Sequence, residues 1–548
     1  MCRNLPLSTA LIFVFAIALS SQACNAQAKT DAEAAPQHSA ELSVEKYPPP
    51  DSTTHGSITL GGNRIDYTAI AGIITVGGTD KQDAQLGPDG RPMPGTALAA
   101  AEPKNPADAP PVAHMFYVYY FKTGARPADR PITFLYNGGP GSSTVWLHMG
   151  AVGPERIMTH GDTHLPPAPY AMEQNPNCLL DASDLVFIDA PGTGFGQVTG
   201  KDAGKAFWGV KQDAAAFSRF IARFVSKYGR WNSPKYLFGE SYGTTRSTVL
   251  AEQLESDQNI DLNGVILLSQ IFNFSSEIDN PAGNPGIDLP YELALPTYAA
   301  TAWFHKKLPQ QPQLQSLLKE VEDFAMGPYR DALTKGTDLS STEKQQIADK
   351  LHQFTGLPAS YWIKANLRVS GPEFAKTLLT GEDKTTGRLD TRFSGPTIDP
   401  LSQNAQYDPQ GSAISSAYTA LFNQYVREQL KYGQNLTYDP LSMTVNNQWD
   451  WGQSDDGSGT NVSNDLATAM KTNPRLKVMV NGGYFDLATP FYAAQYEDKH
   501  LPIPDNLARN IEYNWYESGH MVYVSAAADK LLHDRVAAFI HGTEHPAH

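Results

Sequence analysis

The stretch Gly239-Glu240-Ser241-Tyr242-Gly243 constrains this chain more than any other. It is a G-x-S-x-G turn set between a short apolar run, Lys235-Tyr-Leu-Phe-Gly239, and a helix-forming run from Thr244 to Leu254. A tight passage from strand into helix forces the serine into a strained backbone, and glycines on either side leave room for it. The hydroxyl is then held up at a helix N-terminus. The bare pattern recurs by chance in unrelated chains; the flanking strand and helix make this one informative.

The rest of the chain agrees with an α/β architecture. Short apolar runs recur at 114–121, 132–136, 185–188, 235–239, 265–268, 477–480 and 511–516. Helical periodicity separates several of them. Phe207, Val210, Ala214, Phe217, Ile221 and Phe224 predict a helix over 204–228. A final helix is predicted over roughly 525–540. Strands alternating with helices point to a mostly parallel central sheet flanked by helices. Between 276 and 445 the strand runs stop. Amphipathic helices are predicted over 311–325 and 342–354, the second capped by Ser341 or Thr342. The expected organisation is a core made of 57–275 and 446–542, interrupted by an inserted, mainly helical cap at 276–445. A chain of 548 residues is long enough for that arrangement.

The N-terminal segment reads differently. Residues 1–28 combine a single charge, Arg3, an apolar core from Ala10 to Leu19 and an Ala26-Gln27-Ala28 cleavage pattern. They read as an export signal. Cys24, preceded by Ala23, leaves a lipid anchor open, although Ser21 stands where a lipobox prefers leucine. The protein is therefore expected to be periplasmic, secreted or lipid-anchored. Residues 29–56, rich in Ala, Pro and Ser, read as a flexible leader. No other run approaches the length of an integral membrane span. The formal net charge of −15 and the lack of Lys/Arg clusters argue against nucleic acid as a partner. Of three cysteines only Cys178 would remain after processing, so no internal disulfide is expected. No spacing suggests a metal site, and no organic cofactor is implied. The sequence leaves the oligomeric state open.

A serine hydroxyl is a weak nucleophile near neutral pH and needs a base, itself oriented by a carboxylate. In an elbow fold these follow in the order Ser, Asp, His, each on a loop after a core strand. Asp486 stands just past the run 477–480 and His520 just past 511–516. Asp455, Asp456 and Asp465 are rivals to Asp486 that follow no core strand. His148 and His160 come after a glycine-rich loop and are further histidines that would line the site. An oxyanion hole needs two backbone N–H groups: one from Tyr242, the other from Asn137-Gly138-Gly139-Pro140-Gly141, which follows another strand.

These residues together resemble the serine carboxypeptidase family. Tyr136-Asn-Gly-Gly-Pro-Gly-Ser-Ser143 is similar to that family's N-G-G-P-G-C-S-S signature. Asp189-Ala-Pro-Gly-Thr-Gly-Phe195, the elbow at 239–243, Asn481-Gly-Gly-Tyr-Phe-Asp486 and Gly519-His520-Met521-Val522 resemble four further motifs in the same order. The resemblance implies an α/β-hydrolase fold and release of C-terminal residues from a peptide substrate through an acyl-enzyme on Ser241. It implies Ser241, Asp486 and His520 as the catalytic triad, with Gly139 and Tyr242 as oxyanion-hole donors. Asn137, Gly138 and Glu240 would hold the substrate's terminal carboxylate, Glu240 acting in its protonated form. Two positions depart from the pattern. The family's second carboxylate-binding glutamate falls on Ala151, and the signature cysteine on Ser142. The missing acid leaves two options: Glu240 holds the carboxylate with a different partner, such as His148, or the substrate lacks a free terminal carboxylate. Beside the carboxypeptidase reading stand an esterase or acyltransferase on the same triad and a hydrolase fold that binds without turnover.

Overall fold

The computed structural model describes residues 47–87, 91–100, 105–452 and 459–544. The expected export signal, Cys24, the leader up to residue 46, Asp455 and Asp456 lie outside them. Among the described residues ten strands form the main sheet. They are β1 (Ser52–Leu60), β2 (Asn63–Gly77), β3 (Val112–Lys122), β4 (Ile132–Tyr136), β5 (Asp184–Ile188), β6 (Gln197–Thr199), β7 (Lys235–Glu240), β8 (Gly264–Leu268), β9 (Lys477–Gly483) and β10 (Ile511–Tyr516). The order across the sheet is β1-β2-β3-β5-β4-β7-β8-β9-β10, with β6 paired to one end of β3. The edge from β1 to β5 is antiparallel. From β5 to β10 every pair is parallel.

Strands β4, β5, β7 and β8 are buried throughout, as parallel strands covered on both faces must be. Their side chains alternate between two cores. Tyr236, Phe238, Ile266 and Leu268 enter one, and Leu237, Val265 and Leu267 enter the other. Helices α1 (Val210–Lys227) and α2 (Tyr242–Asp257) cross from β5 to β7 and from β7 to β8. Phe217, Ile221 and Phe224 of α1 and Val249 and Leu250 of α2 pack into the second core. This topology is the α/β-hydrolase fold, with the sharp strand-to-helix turn between β7 and α2.

Four departures from the sequence reading have identifiable physical causes. Strand β1 begins at Ser52, inside the stretch read as a leader. It pairs only with β2 and its polar residues alternate outward, so it carries little apolar signal. The helix expected over 204–228 is broken at Trp208-Gly209. There the backbone bridges to Asp450, which accepts from Val210 N–H at 3.1 Å and donates to Trp208 O at 3.0 Å. The 276–445 stretch also divides. Helices α3 (Leu289–Phe304), α4 (Leu314–Phe324) and α5 (Ser341–Thr355) share an apolar cluster drawn from 278–379 plus Leu487. Helix α6 (Pro409–Glu428) instead inserts Tyr418, Leu421, Phe422 and Tyr425 into the sheet's first core, beside the final helix α7 (Ala526–Thr543). The cap on α5 is Ser340, which closes a capping box with Glu343.

Candidate active site

Loops meet at the C-terminal ends of β7, β9 and β10, where an open parallel sheet leaves room for a ligand. Ser241 follows β7 with φ +60° and ψ −130°, a conformation that L-residues rarely adopt. The turn closes because its neighbours lack side chains. A Cβ at Gly239 would lie 2.2 Å from Gly243 O and 2.5 Å from Ser247 Oγ. Ser241 N–H donates to Leu268 O at 2.9 Å, tying the turn to the end of β8.

Asp486 and His520 are joined. His520 Nδ1 is 2.8 Å from Asp486 Oδ2, and both side chains are buried. Asp486 also accepts from the N–H groups of Ala488 and Thr489 on Oδ1, both at 2.9 Å, and from Thr489 Oγ1 on Oδ2 at 2.7 Å. Three donors besides the imidazole converge on its carboxyl oxygens. A proton on Nδ1 gives it a fourth donor and leaves Nε2 as the basic nitrogen. Burial pushes the His520 pKa down, but the charge and hydrogen bond of Asp486 outweigh it and leave it above its ordinary value. The backbone around the imidazole is pinned on both sides. His520 N–H donates to Leu389 O at 2.6 Å, and His520 O accepts from Ser269 Oγ at 2.7 Å. Among the described residues Ser241 Oγ has no hydrogen-bond partner. A serine–histidine contact of this kind often tightens only with a bound ligand.

The glycine-rich loop after β4 lies against the turn after β7. A Cβ at Gly138 would fall 2.4 Å from Tyr242 N and 2.7 Å from Gly243 N, so only glycine permits this approach. Gly139 has φ +106°. Tyr242 is the first residue of α2, and its N–H is one of the donors that a helix start leaves without an internal partner. Asn137 is buried. Its Nδ2 donates to Glu240 Oε2 at 2.8 Å, and its Oδ1 accepts from Leu147 N–H at 3.1 Å. Burial pushes the Glu240 pKa up to about 7, while the His520 charge and hydrogen bonds from Tyr523 and Asn137 pull it down.

Other candidates separate from the site. His148 is a core residue. Its ring stacks on Phe187 at 4.2 Å, and its Nε2 bonds the Tyr120 hydroxyl at 2.8 Å. Burial pushes its pKa down to about 3, so as a neutral imidazole bound to Tyr120 it is no partner for Glu240. This corrects the expectation that it would line the site. His160 is exposed. Asp465 lies in the first turn of the helix Ser463–Thr472. Cys178 is buried, and burial pushes its thiol pKa up, so it is no thiolate nucleophile. Among the described residues no group of three or more His, Cys, Asp or Glu is arranged to hold a metal ion. None of their helices is long and apolar enough to cross a membrane.

Two sets of residues at the site had escaped the sequence reading. Tyr523 donates to Glu240 Oε2 at 2.9 Å. Its one sequence signal is its place three residues beyond His520. The other set is a buried ion pair. Arg246 Nε bonds Asp213 Oδ2 at 2.6 Å, with both side chains shut off from solvent. Arg246 Nη1 donates to Asn137 O at 2.7 Å. Its guanidinium lies over the rings of Phe217, Tyr136 and Tyr242 at 4.4, 5.2 and 5.5 Å. This pair ties the glycine-rich loop to α2 and α1. Two polar residues far apart in sequence, each inside a helix, give no periodic sign that they meet.

The family model described as serine carboxypeptidase matches residues 107–530. Serine carboxypeptidase-like 36 of Arabidopsis thaliana is 26% identical over 161 residues, which is 28% of this chain and 31% of that protein. Pheromone-processing carboxypeptidase KEX1 of Ogataea parapolymorpha is 29% identical over 135 residues, 24% of this chain and 20% of that protein. The chain thus aligns with less than a third of the length of these relatives. A crystal structure of KEX1(delta)p, a prohormone-processing carboxypeptidase from Saccharomyces cerevisiae, covers 86% of this chain and 91% of its own at 14% identity, with a TM-score of 0.49.

Proposed function

This chain belongs to the serine carboxypeptidase family, and from that premise we propose that it releases C-terminal residues from peptides. Ser241 Oγ attacks the last peptide carbonyl while His520 Nε2 takes its proton and Asp486 steadies the imidazolium. The N–H groups of Tyr242 and Gly139 receive the developing oxyanion. His520 then protonates the departing amine, and water releases the acyl group by the same steps in reverse. Asn137, Gly138 and Glu240 hold the terminal carboxylate.

The observation that carries this reading is Glu240. A buried acid beside the nucleophile, with its pKa raised to about 7, has no part in hydrolysing a plain ester. It has one in recognising a carboxylate, to which its protonated oxygen donates. The sign follows. Below about pH 7 Glu240 is protonated and binds a free acid; as pH rises through that value it ionises and repels it. The expected result is that a blocked dipeptide is cleaved well ahead of its C-terminal amide in the acid range. The preference fades with rising pH, and Glu240→Gln flattens the fade. Equal rates on acid and amide would instead favour an esterase or acyltransferase on the same triad, the reading that Ala151 supports.

The same proposal includes export, on the strength of residues 1–28. N-terminal sequencing of the mature protein is expected to begin at or near residue 29, or at a lipid-modified Cys24. A mature chain that retains Met1 excludes both.

A further inference from the structure

Ala151 offers only a methyl group where the family pattern has a second acid, and the neighbouring space is filled. A Cβ at Gly150 would lie 2.3 Å from the Tyr418 hydroxyl and 2.7 Å from Tyr523 Cε2. Two phenol rings, one from α6 and one from the turn after His520, therefore wall the region beside Glu240. The Tyr523 hydroxyl is 2.9 Å from Glu240 Oε2 and 3.2 Å from Oε1. Asn137 Nδ2 also reaches Oε2, at 2.8 Å. Both short contacts converge on one oxygen, so Oε1 is the atom with capacity to carry a proton outward. Burial and the Glu240 charge push the Tyr523 pKa well above its ordinary value, so this phenol stays a donor at any working pH.

On the carboxypeptidase reading above, we propose that Tyr523 is a positioning residue of the carboxylate clamp. Its hydroxyl holds the Glu240 carboxyl by a direct hydrogen bond, and Ala151 brings no second acid to the clamp. The substitution changes the clamp's chemistry as well as its shape. A second carboxyl shares a proton with its partner, and the pair titrates as a unit. A phenol only donates, which favours the ionised form of Glu240. The other groups facing Glu240 are His520, whose charge also favours that form; Asp486, which opposes it; Asn137, a donor; and Tyr418, which feels the Glu240 charge without a hydrogen bond.

The test is Tyr523→Phe in the full-length protein, which keeps the ring in the wall and removes one donor. Glu240 is titrated by difference infrared spectroscopy, its carboxyl band identified by its loss in Glu240→Gln. The expected result is a midpoint raised by about one pH unit. The high-pH limb of kcat/KM for a blocked dipeptide acid moves the same way, while the profile for the C-terminal amide stays put. A midpoint that is unmoved or lowered overturns the proposal, as does a raised midpoint with an unmoved kinetic limb. If Tyr523→Phe does not fold, 3-fluorotyrosine at 523, a stronger donor, is expected to lower the midpoint, and no change there overturns the proposal equally. The infrared midpoint needs no substrate. A wild-type enzyme indifferent to acid and amide would therefore sink the carboxypeptidase reading separately.

Discussion

Ser241→Ala is expected to lower kcat/KM on a blocked dipeptide by about 10⁴-fold or more. Without the hydroxyl no acyl-enzyme forms. What remains is binding and the oxyanion donors acting on a water. The variant isolates chemistry from folding. Alanine fits wherever the serine Cβ fits, and both side chains meet the same backbone demand at φ +60°. Asp486 and His520 keep their hydrogen bond because neither uses Ser241. The measurement is steady-state hydrolysis alongside labelling by a fluorophosphonate, with far-ultraviolet circular dichroism to confirm the fold. The adduct is expected on the wild type and absent from the variant. Undiminished turnover in Ser241→Ala would remove the serine from the mechanism.

Arg246→Met is expected to have the largest effect on stability, a loss of about 3–5 kcal/mol. The cost comes from what is left behind. Asp213 is shut off from solvent, and burial already holds its pKa above the ordinary value against the pull of Arg246. Without the guanidinium it is a charge with no partner in a nonpolar setting. The pH dependence carries a defined sign. An acid whose folded pKa is raised binds more protons folded than unfolded, so stability grows as pH falls through that pKa. The deficit of Arg246→Met is therefore expected to be greatest near neutrality and to shrink on acidification. Replacing both partners, as in Asp213→Leu with Arg246→Met, is expected to recover much of the loss, because no buried charge then remains. Urea unfolding at two pH values checks all three statements. A neutral-pH loss below about 1 kcal/mol would mean that the pair does not need its charges matched.

Much of the site was legible because its parts are local. The β7 turn, the loop after β4 and the residues after β9 and β10 each need a particular short string, since backbone geometry within a few residues dictates it. The two-faced burial of β4, β5, β7 and β8 was legible for a related reason: such strands read as unbroken apolar runs. Features made by long-range contact were not. Strand β1 is mostly polar and exists because β2 pairs with it along nine residues. The break at Gly209 is imposed by a bridge to Asp450. Tyr418 of α6 reads like any apolar helix position, and nothing in its neighbourhood says that it packs beside β-strand residues rather than with α3 to α5. His148 misled for the same reason. Its place after the glycine-rich loop suggested a residue lining the site, whereas Phe187 and Tyr120 enclose it.

The Leu389 carbonyl that receives the His520 N–H belongs to the long excursion between β8 and β9. Trimming that excursion is therefore a poor route to a smaller, wider-mouthed catalyst. A shortened chain would keep Ser241, Asp486 and His520 and yet lose the carbonyl that pins the imidazole's backbone.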